Sequence, residues 1–168
     1  MKKILSLLLL ILFVLSAYSQ GQKKSVGIRG GLSSGFEYRV FVDEQTSYKA
    51  LLSFRKQGIQ LTGMKEFHIP GAFDFLPELT FIYGYGAHAG FESWNRVTYY
   101  VDTMLPDPYV ERRSGPIAGL DCLAAVEYTI PQIPLTAGFE VKPYFNLFGR
   151  SFFQLQPFDF AFTVKYNF

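Results

Sequence analysis

Residues 158–168 read FDFAFTVKYNF, and taken alternately they separate into two unlike faces. Phe158, Phe160, Phe162, Val164, Tyr166 and Phe168 fall on one; Asp159, Ala161, Thr163, Lys165 and Asn167 fall on the other. Side chains alternate sides along a strand but recur every 3.6 residues on a helix, so this stretch is a strand with one greasy and one polar face.

The same alternation returns upstream. Leu135, Ala137, Phe139, Val141 and Phe145 oppose Thr136, Gly138, Glu140, Lys142 and Tyr144. Ala118, Leu120, Cys122, Ala124 and Val126 oppose Gly119, Asp121, Leu123, Ala125 and Glu127. Leu79, Phe81, Tyr83, Tyr85, Ala87 and Phe91 oppose Thr80, Ile82, Gly84, Gly86, His88 and Gly90. The N-terminal half repeats the pattern more weakly. Strands are therefore expected near 25–33, 36–42, 47–55, 58–69, 78–91, 116–130, 134–147 and 157–168. The pattern leaves open whether the first two are one bent strand, and 48–55 also suits a short amphipathic helix. Lys65 falls on the greasy face, and Pro143 lacks a ladder donor.

The opening residues set the compartment. Lys2 and Lys3 precede an apolar run over 4–17, and Ala17-Tyr18-Ser19 places small residues where a signal peptidase reads. Residues 1–19 read as a signal peptide and 20–168 as one domain. The run is short for a membrane helix, which needs about 20 apolar residues; an uncleaved anchor is opposed by the polar stretch 20–24. The chain holds 16 Lys and Arg against 14 Asp and Glu. Loss of Lys2 and Lys3 leaves equal numbers of each sign, so no basic surplus points to nucleic acid. Cys122 is the single cysteine, which excludes an internal disulfide.

No later run approaches the length of a membrane helix. A chain like this that enters a membrane does so as a closed barrel, the one all-strand arrangement that satisfies every backbone hydrogen bond in lipid. A Lys or Arg facing mid-bilayer lipid costs about 2–4 kcal/mol, which turns the ionic face inward. The expected interior carries Arg29, Arg39, Lys49, Arg55, Lys142 and Lys165 against Glu37, Glu66, Asp121, Glu127, Glu140 and Asp159. Eight strands enclose a space that side chains can fill, and equal charges inside it would pair. The expectation is a plugged, salt-bridged lumen.

Three weaker features bear on chemistry. His88 and Asp121 fall near the outer ends of adjacent strands and could face each other. Such a pair can polarise a nucleophile, but Ser93 and Ser114 read as loop residues and Cys122 faces lipid, so a structural hydrogen bond is the expectation. His68 reads as an interior polar residue. The glycine-rich stretches at 27–31 and 84–86 lack the following helix that a phosphate loop requires. No metal-ligand spacing is present.

With these residues in place, the chain resembles the small outer-membrane β-barrels of gram-negative bacteria, of the OmpA-like transmembrane and OmpX type. The resemblance spans 25–168 and rests on the final strand with Phe160, Phe162, Tyr166 and terminal Phe168, on the signal segment, and on the opening strand Ile28-Arg29-Gly30-Gly31-Leu32. It implies an eight-stranded antiparallel up-and-down transmembrane barrel, no cofactor, outer-membrane lipid as its surroundings, and a last strand read by the barrel-assembly machinery. The peptidoglycan-binding domain of full-length OmpA-like proteins is not expected, since the chain stops at that strand.

With both ends periplasmic, the turns near 43–46, 70–77 and 131–133 face the periplasm. The links near 34, 56–57, 92–115 and 148–156 face out, and the loops 92–115 and 148–156 are the expected sites for an extracellular ligand. The leading expectation is a non-enzymatic barrel serving envelope integrity or surface interaction. The alternatives are a lipid-modifying barrel enzyme using His88 and Asp121, and a soluble periplasmic lipocalin-like barrel with its aromatics inside.

Overall fold

The computed structural model describes residues 24–55, 57–74, 76–98, 109–149 and 153–168. The expected signal segment, 1–19, lies outside them. Among the described residues the secondary structure is all strand, in ten segments. These are β1 (Lys24–Gly31), β2 (Ser34–Phe41), β3 (Thr46–Arg55), β4 (Gly58–Pro70), β5 (Leu79–Thr98), β6 (Tyr109–Thr129), β7 (Leu135–Val141), β8 (Tyr144–Phe148), β9 (Gln154–Gln156) and β10 (Phe160–Asn167).

Each strand pairs antiparallel with its successor from β1 to β7, β7 pairs with β10, and β10 pairs with β1. The pairing therefore closes into a ring of eight staves. β8 continues the β7 stave along β6, and β9 pairs with β8. The seventh expected strand is thus in two pieces, the eighth is the single strand β10, and β9 falls inside the link expected at 148–156. Pro143, which has no N–H to give, sits in the break between β7 and β8, yet its carbonyl still accepts from the Cys122 amide at 2.8 Å. The second break, before Phe160, keeps one bond from the Lys142 amide to the Asp159 carbonyl at 3.0 Å.

The first two strands are separate, turning at Leu32 and Ser33. Residues 48–55 are strand, not helix. At the end where β1 starts and β10 finishes, the connections are short: 42–45, 71–78 and 130–134. Gly71 takes the left-handed conformation at φ 65° that starts the middle one.

The largest departure from the sequence reading is the segment 92–115. Most of it is strand: β5 runs on to Thr98 and β6 begins at Tyr109, with partners from Glu92↔Gly115 to Thr98↔Tyr109. β4 stops opposite Glu92, so from there the two strands pair only with each other and project from the ring as a ribbon. Ser93 and Ser114 are ribbon partners, not loop residues. With no core behind either face, the ribbon has no reason to alternate apolar and polar residues, and periodicity missed it.

The two faces of the ring are sharply different. In β10, Phe160, Phe162 and Val164 are 40%, 70% and 48% exposed, while Ala161, Thr163 and Lys165 are buried. Phe139, Ile28, Phe36, Leu61 and Tyr85 share the outer face, and Glu140 and Lys142 are buried inside. Phe139 contacts Phe160 and Phe162 at ring-centroid distances of 6.1 and 5.2 Å, across the seam where β7 meets β10. This polarity is the reverse of that needed by a soluble barrel with an apolar cavity.

Close strand contact also fixes where glycine is needed. A side chain at Gly119 would collide with the Phe145 carbonyl and meet the His88 ring at 2.8 Å, whereas Gly63 faces open space. Replacing Gly119 with Val should lower folding stability by about 1–3 kcal/mol, as overpacking does. Gly63→Val should be close to neutral. Urea unfolding of both variants in detergent micelles checks the contrast, and equal midpoints would refute it.

Candidate functional site

Alternation sends one side chain in two from every stave into the ring, and there the opposite charges find each other. Six of them form a closed alternating loop. Lys49 Nζ lies 2.9 Å from Glu66 Oε1, and Arg39 Nε lies 2.6 Å from Glu66 Oε2. Arg39 Nη1 and Nη2 donate to the two oxygens of Glu127 at 2.8 and 2.9 Å. Lys165 contacts Glu127 and lies 2.9 Å from Glu37, which returns to Lys49 at 3.6 Å. Neither Glu37 oxygen has a well-aligned hydrogen bond, so charge alone holds this carboxylate between its two lysines.

Two of the contacts cross the ring. β2 and β6 are four staves apart, so the Arg39–Glu127 fork joins opposite walls. β3 and β7 are also four apart, and Lys49 donates to Glu140 at 3.0 Å. Bidentate, charge-assisted bonds of the Arg39 kind are the strong class, and they fix geometry as well as energy.

From Glu140 the network runs on toward the opposite end. Arg29 contacts Glu140 and lies 3.4 Å from Asp159. Asp159 also holds Arg55 at 3.3 Å and lies 3.9 Å from Lys142, which is 2.8 Å from Asp121. All twelve charged residues singled out in the sequence are therefore joined in one connected set. Eleven have buried side chains; Arg55, at 19% exposure, is at the mouth and stacks 4.0 Å over the Tyr144 ring.

Neutral polar groups that alternation alone did not rank complete the set. Ser33 in the β1–β2 turn donates to Asp159, and Ser47 joins Glu66 to His68 Nε2 at 3.0 and 2.7 Å. Their signal was their parity on the ionic face. The same parity placed Met64, Ile82, Leu123 and Ala125 inside, where they form a small apolar cluster on the β4–β5–β6 wall.

His88 and Asp121 do meet. The Nδ1 atom of His88 lies 2.7 Å from Asp121 Oδ2, and Nε2 lies 2.8 Å from the Asn146 side chain. Asp121 is shared with Lys142. Because β5 and β6 extend further than expected, His88 lies ten residues from the end of β5, not three. Both ring nitrogens are engaged, and the side chain has no exposed surface. This arrangement suits a structural pair: no nitrogen is left to take a proton from a nucleophile. Cys122 is exposed on the outer face, away from this group. Among the described residues no cluster of His, Cys, Asp and Glu is placed to hold a metal.

The ring's two mouths differ. The one beside the chain ends opens into a cavity of about 730 Å³ lined by Arg39, Phe41, His68, Glu127, Thr129 and Thr136 among others. The other holds a cavity of about 370 Å³ around Arg55, Gln60, Ile117 and Tyr144. The charged network lies between them. Above the second mouth stands the ribbon, with Trp94 beside Arg113 and Arg96 opposite Glu111. Glu111 pairs with Arg113 at 2.9 Å. Residues 99–108 of the first expected outer loop and 150–152 of the second lie outside the described residues.

No protein-family model matches the sequence, and no curated protein sequence matches it. Among solved structures, the chain is similar to the N-terminal β-barrel domain of Pseudomonas aeruginosa OprF. The TM-score is 0.54 at 14% identity, over 89% of this chain and 100% of that one. At this identity the likeness is one of fold: the eight-stave ring shares the antiparallel β-barrel architecture of that domain, in keeping with the resemblance to OmpA-like barrels.

The crossing fork should be the costliest pair to break. Arg39→Ala strands the Glu127 and Glu66 carboxylates in the interior and should cost about 3–5 kcal/mol, the usual range for a broken buried pair. The double variant Arg39→Met with Glu127→Leu should cost less than Arg39→Ala. Urea unfolding of the refolded barrel measures both, and the reverse order would refute this account of the lumen.

Proposed function

We propose that this protein is a non-enzymatic barrel of the gram-negative outer membrane, with a lumen sealed by its ion pairs and a β-ribbon displayed outside the cell. The observation that carries this reading is the polarity of the ring. Exposed Phe, Tyr, Leu, Ile and Val side chains dominate the outside of the ring, and the charges are paired within. Soluble monomers rarely expose contiguous apolar patches beyond a few hundred Å². Such a surface suits acyl chains, and the closed ladder leaves no edge for lipid to meet.

On this reading residues 1–19 are removed on export. The last strand, with Phe160, Phe162, Tyr166 and Phe168 in line, is what the assembly machinery reads. The short turns and the chain ends lie in the periplasm, and the ribbon lies outside. Its role is envelope integrity or surface interaction: beyond Ser93, whose amide donates to the Gln57 carbonyl, its two strands form a ladder only with each other among the described residues, and edges of this kind can pair with an extended segment of another molecule.

Fractionation with heat-modifiable gel mobility tests the reading. The protein should be recovered in outer membranes, and unboiled samples should migrate differently from boiled ones. In planar bilayers it should give no steady channel conductance. Recovery in the soluble periplasm without detergent would overturn the membrane assignment, and a steady open channel would overturn the seal.

The lipid-modifying alternative separates from this reading at one residue. His88→Ala should leave the lipid composition of the outer membrane unchanged while lowering the unfolding midpoint. A lipid profile that changes with this variant, in cells where the barrel is still folded, would revive the enzyme.

A further inference from the structure

On the outer face, β2 to β6 align residues in level rows. One row is Tyr38, Ala50, Gly63, Ala87 and Leu120. Its three central positions carry almost no side chain, and a side chain at Gly63 would meet open space. The result is a groove of about 620 Å³ with a nearly wholly apolar lining. The next row, toward the chain-end mouth, places Lys65 between Tyr48 and Tyr85. Lys65 Nζ extends over the Phe67 ring, 5.2 Å from its centroid. Phe67 is one row nearer that mouth, so the ammonium reaches toward the end of the barrel rather than its middle.

Lys65 is out of place electrostatically. The other described charges of outward parity in the strands stand apart from it, Lys24 at the start of β1 and Arg112 in the ribbon, and no described carboxylate pairs with Lys65. Burying an unpaired ammonium at an apolar surface is unfavourable, and a long side chain relieves it by carrying the charge to an interface where an anion waits.

We propose that this groove binds an anionic phospholipid of the periplasmic leaflet. Its phosphate is held by Lys65 with the flanking Tyr48 and Tyr85 hydroxyls, and one acyl chain lies over Ala50, Gly63 and Ala87. The proposal rests on the membrane reading above. The cation selects a negatively charged headgroup, and the furrow beside it accepts an acyl chain.

Native mass spectrometry of the refolded protein with phosphatidylglycerol or phosphatidylcholine of equal chain length tests it. The wild type should retain phosphatidylglycerol in preference by about fivefold, the scale set by one cation near an anionic headgroup. Lys65→Gln should abolish the preference, and Gly63→Leu should reduce retention of both lipids. Phe162→Leu on β10, across the ring, should change neither. Heat-modifiable mobility of every variant separates loss of lipid from loss of fold. A wild type without preference, or a Lys65→Gln variant that keeps it, overturns the proposal. A dimer lost in Gly63→Leu, with no lipid retained, would assign the groove to a second copy and overturn it too. In either case recovery of the protein from outer membranes would leave the membrane reading standing, while a soluble protein would remove both.

Discussion

The fork between Arg39 and Glu127 joins walls that are four staves apart, and the inner face is built around it. A guanidinium buried in a narrow ring needs carboxylates on more than one side. Arg39 draws one from Glu66 on β4 and one from Glu127 on β6. Those carboxylates need further cations, which Lys49 and Lys165 supply, and these lysines need Glu37 and Glu140 in turn. The loop closes because side chains from β2, β3, β4, β6 and β10 reach one another across the lumen. Removal of any one charge leaves an uncompensated neighbour, which is the expensive state in a low-dielectric interior. Burial of a matched set is a weak source of stability by itself; its effect is to allow one arrangement of the staves and few others.

That inner constraint dictates the outer face. Strand alternation gives each stave two sides, and once the ionic side points inward the aromatic side has to point out. Outward exposure on this scale is rare on soluble monomers and is what the proposed lipid setting would accommodate. The same logic gives meaning to the exceptions. Lys65 is a charge on the outer face of the ring, and it sits where its stem can carry the ammonium over Phe67 toward the chain-end mouth. Met64, Ile82 and Leu123 are apolar residues that stayed inside, and they gather on one wall where no charge is left unpaired by their presence.

Above the ring the physics changes. Glu92 to Thr98 and Tyr109 to Gly115 form a two-stranded ribbon supported at its base, without a core on either side. Trp94 lies against Gly115, where a side chain would meet its ring at 3.0 Å, and this contact braces the base. Two-stranded ribbons are marginal by themselves; here the ladder is already nucleated by the barrel strands beneath it. An element of this kind adds nothing to the closure of the ring and is free to serve recognition.

Much of this was legible in the order of residues. The two-residue period of 158–168 and its upstream repeats set the strands and faces, and the cost of charge in lipid set which face is inner; both are local or one-body properties. The sequence also supplied the twelve charges of the interior by parity alone. Partner choice was not legible: that Arg39 meets Glu127 and Lys49 meets Glu140 depends on which staves stand opposite after closure, a consequence of ring order and stagger. The His88–Asp121 pair was legible because it joins neighbouring strands, whereas its third member, Asn146 on the next stave, depended on register set by closure. The ribbon escaped because a ladder without a core leaves no periodic trace, and the apolar furrow beside Lys65 came into being only when Ala50, Gly63 and Ala87, far apart in the chain, were brought level by pairing.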